Sequence, residues 1–352
     1  MTTEIDDAAA PRPFAAADRT SELEAMAAEP LDVLVVGGGI TGVGVALDAA
    51  SRGLRVGIVE RDDWACGTSS KSSKMIHGGL RYLATGDVGV VRESLVERAR
   101  LQRNAAHLVR PLSMLLPVYG RGVIPTQRMK LAAGLWAYEA LGHRRAAGSV
   151  HRWRDLGEVT RLVPGVAIDA PAGGGRLRGA QHYHDASADD VRLVLAVLRT
   201  ARSLGALAAN RAPVMRLLRD GDRVVGAAIG GEAAAAARGA HDGELEVEAR
   251  VVVNAAGVWA DQVLRSSAPD AMPQATGFRV LPSKGIHLTV PRDRVGIGSG
   301  IAFFEQTGNS NVFVEPWQDD LAFVGTTDTP YEGDLADPGA TDEDIAWLLG
   351  KV

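Results

Sequence analysis

One cysteine, Cys66, stands in 352 residues, which excludes an intrachain disulfide and any multi-cysteine metal or iron–sulfur site. That poverty fits a reducing compartment, and Cys66 reads as a small packing residue. Basic charge is not in excess: 38 Lys and Arg against 43 Asp and Glu leave a net charge of −5, so no global positive field advertises a nucleic-acid partner. No apolar run reaches the length of a membrane-spanning helix; the best candidate, Val33 to Leu47, is short, glycine-rich and bracketed by Asp32 and Asp48. Met1 to Pro30 lacks the basic start and apolar run of a secretory signal and reads as a disordered extension rich in Ala, Asp and Glu. What remains is ordinary globular material, 46% hydrophobic and 23% charged, in a length that suits two packed domains.

Structure begins at Leu31–Val36, a short apolar run stopped by glycines, as expected of a buried parallel strand. A helix is predicted from Thr41 to about Ser51 and a second strand over Leu54–Glu60, which completes a β-α-β unit. Helical spacing recurs over Val88–Leu108, Met129–Leu141 and Ala188–Leu204, with a Pro- and Gly-punctuated stretch at Pro111–Pro125 and basic clusters at Arg144-Arg145 and Arg152–Arg154. A strand is expected over Gly205–Ala212. Arg223–Ile229 and Leu245–Val253 read as a hairpin with a flexible tip between them. Further strands at Ile286–Val290, Asn311–Val314 and Leu321–Val324 suggest a mixed sheet, and Thr341 suits the N-cap of a last helix.

Gly37-x-Gly39-x-x-Gly42 directly follows the first strand and opens the first helix, the context that a dinucleotide fingerprint requires. The glycines let backbone N–H groups approach a pyrophosphate at a helix N-terminus. Eighteen residues after Gly42, Glu60 ends the second strand, where its carboxylate suits a ribose diol and would repel the 2′-phosphate of NADP. FAD and NAD remain. The next segment separates them: Thr68, Ser69, Ser70, Ser72 and Ser73 supply five hydroxyls, and His77-Gly78-Gly79 brings a glycine pair that can let backbone approach a flavin ring. Val251-Val252-Val253-Asn254-Ala255-Ala256-Gly257 is a strand ending in a small-residue turn, consistent with backbone passing close to a dinucleotide. His182-x-His184-Asp185 resembles a metal cluster in isolation, but with no second cluster it reads as helix capping by Asp185 or Ser187, and no metal is expected.

The run from Val36 through Gly53 (VGGGITGVGVALDAASRG), the SSKMIHGGLRYL segment, His184-Asp185 with Asp189-Asp190, Lys284-Gly285-Ile286-His287, and Gly325-Thr326-Thr327-Asp328 followed by Tyr331-x-Gly333-Asp334 resemble, in order, the FAD-dependent glycerol-3-phosphate dehydrogenase family of the D-amino-acid-oxidase-like flavoproteins. The resemblance covers about residues 31 to 350. It implies an α/β fold in which a Rossmann-like FAD-binding domain (31–95 and 175–258) interleaves with an α+β mixed-sheet substrate domain (96–174 and 259–352), after the disordered 1–30. It further implies oxidation of sn-glycerol 3-phosphate to dihydroxyacetone phosphate, with electrons passed to a quinone. Cofactor contacts then fall to Gly37, Gly39, Gly42, Glu60, Thr68, Ser69, Ser70, Ser73, His77, Gly78, Gly79, Val214, Ala256 and Gly257. His77 is expected on the cofactor side in a structural role.

Arg81 matches the family position that meets substrate, and a guanidinium fork suits a phosphate dianion, with Tyr82 beside it as a donor. Hydride removal from C2 leaves a hydroxyl proton, for which His287 is the candidate base, and Lys284 is expected to stabilise developing negative charge. The same reading expects a cytoplasmic protein, peripheral on the membrane's cytoplasmic face and homodimeric, with Met129, Leu131, Leu135, Trp136, Tyr138 and Leu141, flanked by Arg128, Lys130, Arg144 and Arg145, as an interfacial helix or as core packing. Members of the family continue past residue 352 with a Gly-Gly-Lys turn leading into Tyr-Arg, and the chain as given is expected to be impaired in holding FAD. Three other readings stay open: an oxidase of glycerol 3-phosphate or an amine that uses dioxygen, a non-catalytic dinucleotide-binding fragment, and an NAD-dependent dehydrogenase.

Overall fold

The computed structural model describes residues 15–120, 125–142, 150–170, 175–238, 243–266, 278–304, 311–318 and 320–351. The chain divides into two compact units, each drawn from two stretches: residues 1–72 with 190–282, and residues 73–189 with 283–352. These divisions differ from the expected 95, 174/175 and 258. Residues 176–188 belong to the second unit because they form a strand hydrogen-bonded along its length to Val109–Gly120. Ser73, His77, Gly78, Gly79, Arg81 and Tyr82 therefore fall in the second unit, outside the Rossmann sheet with which the sequence grouped them.

The first unit is built on a six-stranded sheet in the order Leu207–Ala209, Val56–Val59, Leu31–Val36, Leu245–Asn254, Arg223–Ile229, Val214–Asp220. The first four run parallel and the last two return antiparallel. Leu31–Val36 lies at the centre, Val33 opposite both Val56 and Val251, which is why it reads as continuously apolar. One sheet face packs on the helices Ile40–Ser51 and Asp190–Ser203 through Val35, Val43, Ala46, Ile58, Val194 and Leu198. The other is covered by a helix at Arg19–Ala28, whose Leu23 and Met26 are fully buried.

That helix corrects the expectation of disorder over the part of 1–30 that is described; residues 1–14 lie outside the described residues. Its two apolar side chains are three apart on one face, and its buried Glu22 accepts from Arg202 at 2.6 Å and from the backbone of Ala208 at 2.9 Å. The hairpin tip is corrected too, since Glu232–Arg238 is helical.

The second unit carries an eight-stranded sheet in the order His287–Pro291, Leu321–Gly325, Asn311–Trp317, Gly300–Phe304, Val109–Gly120, Arg176–Ala188, Met75–Ile76, with Arg152–Asp155 also paired to Arg176–Ala188. Pairing is antiparallel except between Gly300–Phe304 and Val109–Gly120, which confirms a mixed sheet. The punctuated stretch at Pro111–Pro125 is thus largely a strand. Gly300–Phe304 pairs with it only at Met114 and Leu115 among the described residues, so near Pro111 and Pro117 one strand edge needs no N–H. Thr341 caps the last helix in a reciprocal box with Asp344.

Candidate functional site

In the first unit, the turn after the first strand is shaped by glycines that no other residue could replace. Gly37 has φ of +113°, and a Cβ there would lie 2.5 Å from the Ala255 carbonyl oxygen. A Cβ on Gly42 would lie 1.8 Å from the Gly37 oxygen, so the helix can start this close to the strand only with hydrogen at that position. Gly39 is the N-cap residue and offers no side-chain cap; the Ile40 N–H is taken by Ser69 Oγ at 2.9 Å. Glu60 accepts from the Gly38 N–H at 2.6 Å and from the Asp62 N–H at 2.9 Å, which fixes its carboxylate at the end of its strand.

Gly37, Gly39, Ile40, Glu60 and Ser69 line one cavity of about 420 Å³, within the usual range of ligand pockets. Of the residues expected to contact a cofactor, Gly37, Gly39, Glu60, Thr68, Ser69, Val214, Ala256 and Gly257 line it, whereas Gly42 and Ser70 do not. Gly42 acts one layer below by permitting the turn. Ser70 turns its hydroxyl back to the Gly67 and Cys66 carbonyls at 3.2 and 3.4 Å. Sequence reasoning missed Trp259, Cys66 and Gln262 in the lining. Trp259, over which the Arg61 guanidinium sits at 4.8 Å, ends the short helical turn Gly257–Trp259, and a bulky aromatic two residues after a small-residue turn was the available signal.

An acidic cluster at the cavity edge brings Glu60, Asp62 and Cys66 within 4.8 Å of one another. Both Glu60 oxygens already accept backbone bonds, and burial, followed by the Glu60 charge, pushes the Cys66 thiol up, away from the thiolate a metal would need. The donor set suits a dinucleotide better: backbone amides and a helix N-terminus for phosphate, a carboxylate for a ribose diol, hydroxyls at Thr68 and Ser69, and apolar walls at Val36, Val214 and Trp259.

In the second unit, His287 and Ser73 come together, Nε2 to Oγ at 2.8 Å. The His287 ring lies against Gly325, where a Cβ would approach Cδ2 to 2.2 Å, and tilts on Phe323 at 6.1 Å between centroids. Burial, then the Lys74 charge, holds this imidazole below its ordinary value, so it is neutral near neutral pH. Arg81 and Tyr82 lie in the short helix Leu80–Ala84; Arg81 Nη2 donates to Tyr82 Oη at 2.8 Å, and Arg81 is exposed.

Two more of the expected site residues have partners within this unit. Lys284 is committed to a buried ion pair, Nζ to Asp344 Oδ2 at 2.6 Å, with a further bond to the Gly339 carbonyl at 3.2 Å, so its charge is spent tying the last helix to the strand Ser283–Lys284. The glycine pair is explained by packing: a Cβ on Gly78 would meet Tyr138 Oη at 2.2 Å and Leu95 Cδ2 at 2.3 Å, and Gly79 has φ of +75°. His77 accepts from the Gly79 N–H at 3.0 Å through Nδ1.

His182 and His184 lie on the strand Arg176–Ala188, and neither Asp185 nor Ser187 caps a helix; Asp190, the first residue of the helix Asp190–Ser203, accepts from the Val191 N–H at 2.9 Å. Arg154 donates to His182 Nδ1 at 3.2 Å, which leaves Nε2 to donate to Ser113 Oγ at 2.7 Å. Burial, with the His184 charge next, pushes His182 down to about 4, so this imidazole is neutral near neutral pH. The helix Pro125–Leu141 splits its apolar residues: Leu135 and Tyr138 are buried, whereas Met129 and Trp136 are 68% and 65% exposed. Arg144 and Arg145 lie outside the described residues.

Comparison with known proteins agrees with this geometry. The glycerol-3-phosphate dehydrogenase 2 of Mycobacterium tuberculosis H37Rv is 42% identical over 338 residues, 96% of this chain and 53% of the relative. The α-glycerophosphate oxidase of Streptococcus pyogenes is 36% identical over 342 residues, again 96% of this chain and 53% of the relative. The chain thus spans about half the length of the curated relatives it matches. Among solved structures, the glycerol-3-phosphate dehydrogenase of Bacillus halodurans complexed with FAD superposes with a TM-score of 0.72 at 29% identity, over 96% of this chain and 55% of that one. Residues 32–352 match the family described as FAD dependent oxidoreductase, and with its glycine turn, Glu60-lined cavity and mixed second sheet the chain belongs to that family.

Proposed function

We propose that the chain binds FAD in the cavity of its first unit and oxidises sn-glycerol 3-phosphate to dihydroxyacetone phosphate. The observation that carries this reading is the cavity lined by Gly37, Gly39, Glu60, Thr68, Ser69 and the Ala256-Gly257 turn. The two curated relatives, named for dehydrogenation and oxidation of the same phosphorylated glycerol, support the choice of substrate.

In this reading the N-terminus of Ile40–Ser51 and its glycine turn bind the pyrophosphate, and Glu60 accepts from the ribose hydroxyls. When bound, FAD supplies the ring that accepts the hydride from C2. His287, neutral and oriented by Ser73, accepts the proton that leaves the C2 hydroxyl. Arg81 holds the phosphate with its guanidinium fork, and Tyr82 Oη steadies that guanidinium. Lys284 is left out of the chemistry, because its ion pair with Asp344 neutralises it.

Electrons then pass to a quinone. The exposed Met129 and Trp136, beside Arg128 and Lys130, fit contact with the cytoplasmic face of a membrane, where a quinone pool is reached without a spanning segment. Among the described residues no helix is long and apolar enough to cross a membrane. Liposome co-sedimentation lost in Trp136→Asp supports the contact, and co-sedimentation unchanged by it counts against it.

The test of the whole reading is the visible spectrum of the purified chain with FAD, before and after anaerobic addition of glycerol 3-phosphate. A bound flavin spectrum that bleaches is the expected result. A folded protein that stays colourless with added FAD overturns it in favour of a non-catalytic dinucleotide-binding relative. Re-oxidation of the bleached protein by a quinone analogue, and not by air, separates dehydrogenase from oxidase.

A further inference from the structure

The geometry points to Asp185 as a positioning residue, one that holds the Gly78–Gly79 turn, and through it Arg81, where the substrate phosphate is bound. The inference rests on the reading of Arg81 as the phosphate contact and names what fixes that arginine in place. Asp185 Oδ1 gathers three donors: the Gly78 backbone N–H at 3.1 Å, the Tyr138 hydroxyl at 2.7 Å and the Arg98 guanidinium. Arg98 Nη1 also reaches Tyr138 Oη and the His184 carbonyl, each at 3.3 Å. Arg98, Tyr138 and Asp185 are 6%, 1% and 2% exposed, so this knot is closed to solvent.

From the knot to Arg81 the chain has little freedom. Gly78 is pressed against Tyr138 and Leu95 with no room for a side chain, and Gly79 takes a left-handed conformation that turns the backbone into Leu80–Ala84. The Tyr82 N–H closes on the Gly79 carbonyl at 2.9 Å, so Arg81 sits inside a turn whose entry is fixed by the Gly78–Asp185 bond. Three segments distant in sequence converge on one carboxylate oxygen, carried by a fourth, to hold a two-residue turn.

Stability alone does not account for such a cluster. A buried ion pair roughly breaks even against apolar residues of the same volume, and here Arg98 Nε is buried with no partner, a further cost. A core built only to be stable would do better with leucines. What the charged cluster supplies and leucines do not is a directional bond to one backbone N–H, three residues before the arginine that meets the phosphate.

The test is a double-mutant cycle between Asp185→Asn and Arg81→Gln in the full chain with saturating FAD. Its readout is the dissociation constant of dihydroxyacetone phosphate, measured by calorimetry, so that no turnover is needed. Each single variant is expected to weaken binding at least about five-fold, and Asp185→Asn introduced on the Arg81→Gln background is expected to cost nothing further. Tyr138→Phe, which keeps the ring and removes one donor to Asp185, is expected to act in the same direction and takes the place of Asp185→Asn if that variant does not fold. Losses that simply multiply, or a loss in Arg81→Gln with none in Asp185→Asn or Tyr138→Phe, overturn the positioning role. No binding by the unaltered chain, or none lost in Arg81→Gln, overturns the reading of Arg81 itself and takes the inference with it.

Discussion

Gly42 is the residue on which the cofactor site depends most sharply, although it does not line the cavity. Its substitution by Ala forces a methyl to within 1.8 Å of the Gly37 carbonyl oxygen, a backbone atom that cannot step aside without lifting the helix from the strand. Gly42→Ala is therefore expected to cost on the order of 2–3 kcal/mol of stability and to abolish FAD binding, measurable by urea unfolding and by quenching of flavin fluorescence. Retained FAD affinity would show that the turn is looser than this geometry requires. His287 makes the second prediction at this scale. Its folded-state value lies below 6.5 because it is buried and Lys74 is near, so it stays neutral, and able to accept a proton, as pH falls past the point where a free imidazole would charge. The acid limb of kcat/KM for glycerol 3-phosphate is expected below about pH 6.5, and Lys74→Met is expected to move it up. A limb that stays put in Lys74→Met removes the lysine from the account.

Among the strands, Asn311–Trp317 carries an anomaly: Glu315 is 3% exposed, its Oε2 is buried with no hydrogen-bond partner, and burial pushes its carboxyl up to about 8. The unfolded chain loses this proton near 4.5, whereas the folded chain keeps it to about 8, so folding stability falls as pH rises between those values. Glu315→Gln, neutral at every pH, is expected to match the unaltered chain at about pH 4.5 and to exceed it by on the order of 4 kcal/mol at about pH 8, measured by urea unfolding across that range. A constant difference between the two proteins would mean that Glu315 does not titrate as its burial requires. Elements of this kind also mark what the sequence could express. The strand Leu31–Val36, the helix after it and the Thr341 cap were legible because local rules fix them: an apolar run, a glycine turn, a hydroxyl three residues before an acid. Val109–Gly120 was not legible, because two prolines signal a loop and only its pairing with Arg176–Ala188 makes it a strand. The Arg19–Ala28 helix was hidden likewise, since two apolar residues in an acidic, alanine-rich stretch acquire meaning only against the sheet that buries them.

At the scale of the molecule, the two-part plan could be read from the order of motifs, but its divisions could not. Ser73, His77, Gly78 and Gly79 follow the second strand so closely that proximity assigns them to the cofactor sheet, whereas tertiary pairing places Met75–Ile76 on the second unit's sheet beside Ala186 and Ser187. Lys284 is a similar case: a lysine near a candidate base invites a chemical role, and its partner Asp344, 60 residues on, is invisible until the last helix folds back. This division makes a prediction of its own. If FAD binds the first-unit cavity, a ligand at about a hundred times its dissociation constant stabilises the folded state by about 2.7 kcal/mol, and hydrogen exchange should report where that stabilisation is concentrated. Slowing is expected first at the amides of the cavity's own segments, residues 36–42, 59–69 and 255–263, with Gly39 and Ile40 at the helix start among them. The strands Gly300–Phe304 and Asn311–Trp317, none of whose residues line that cavity, are expected to gain less from FAD alone and to respond when dihydroxyacetone phosphate is added. Protection spread evenly over both sheets by FAD alone would mean that the cofactor is held by more than the glycine turn and Glu60, and the cavity of the first unit would then be only part of the binding site.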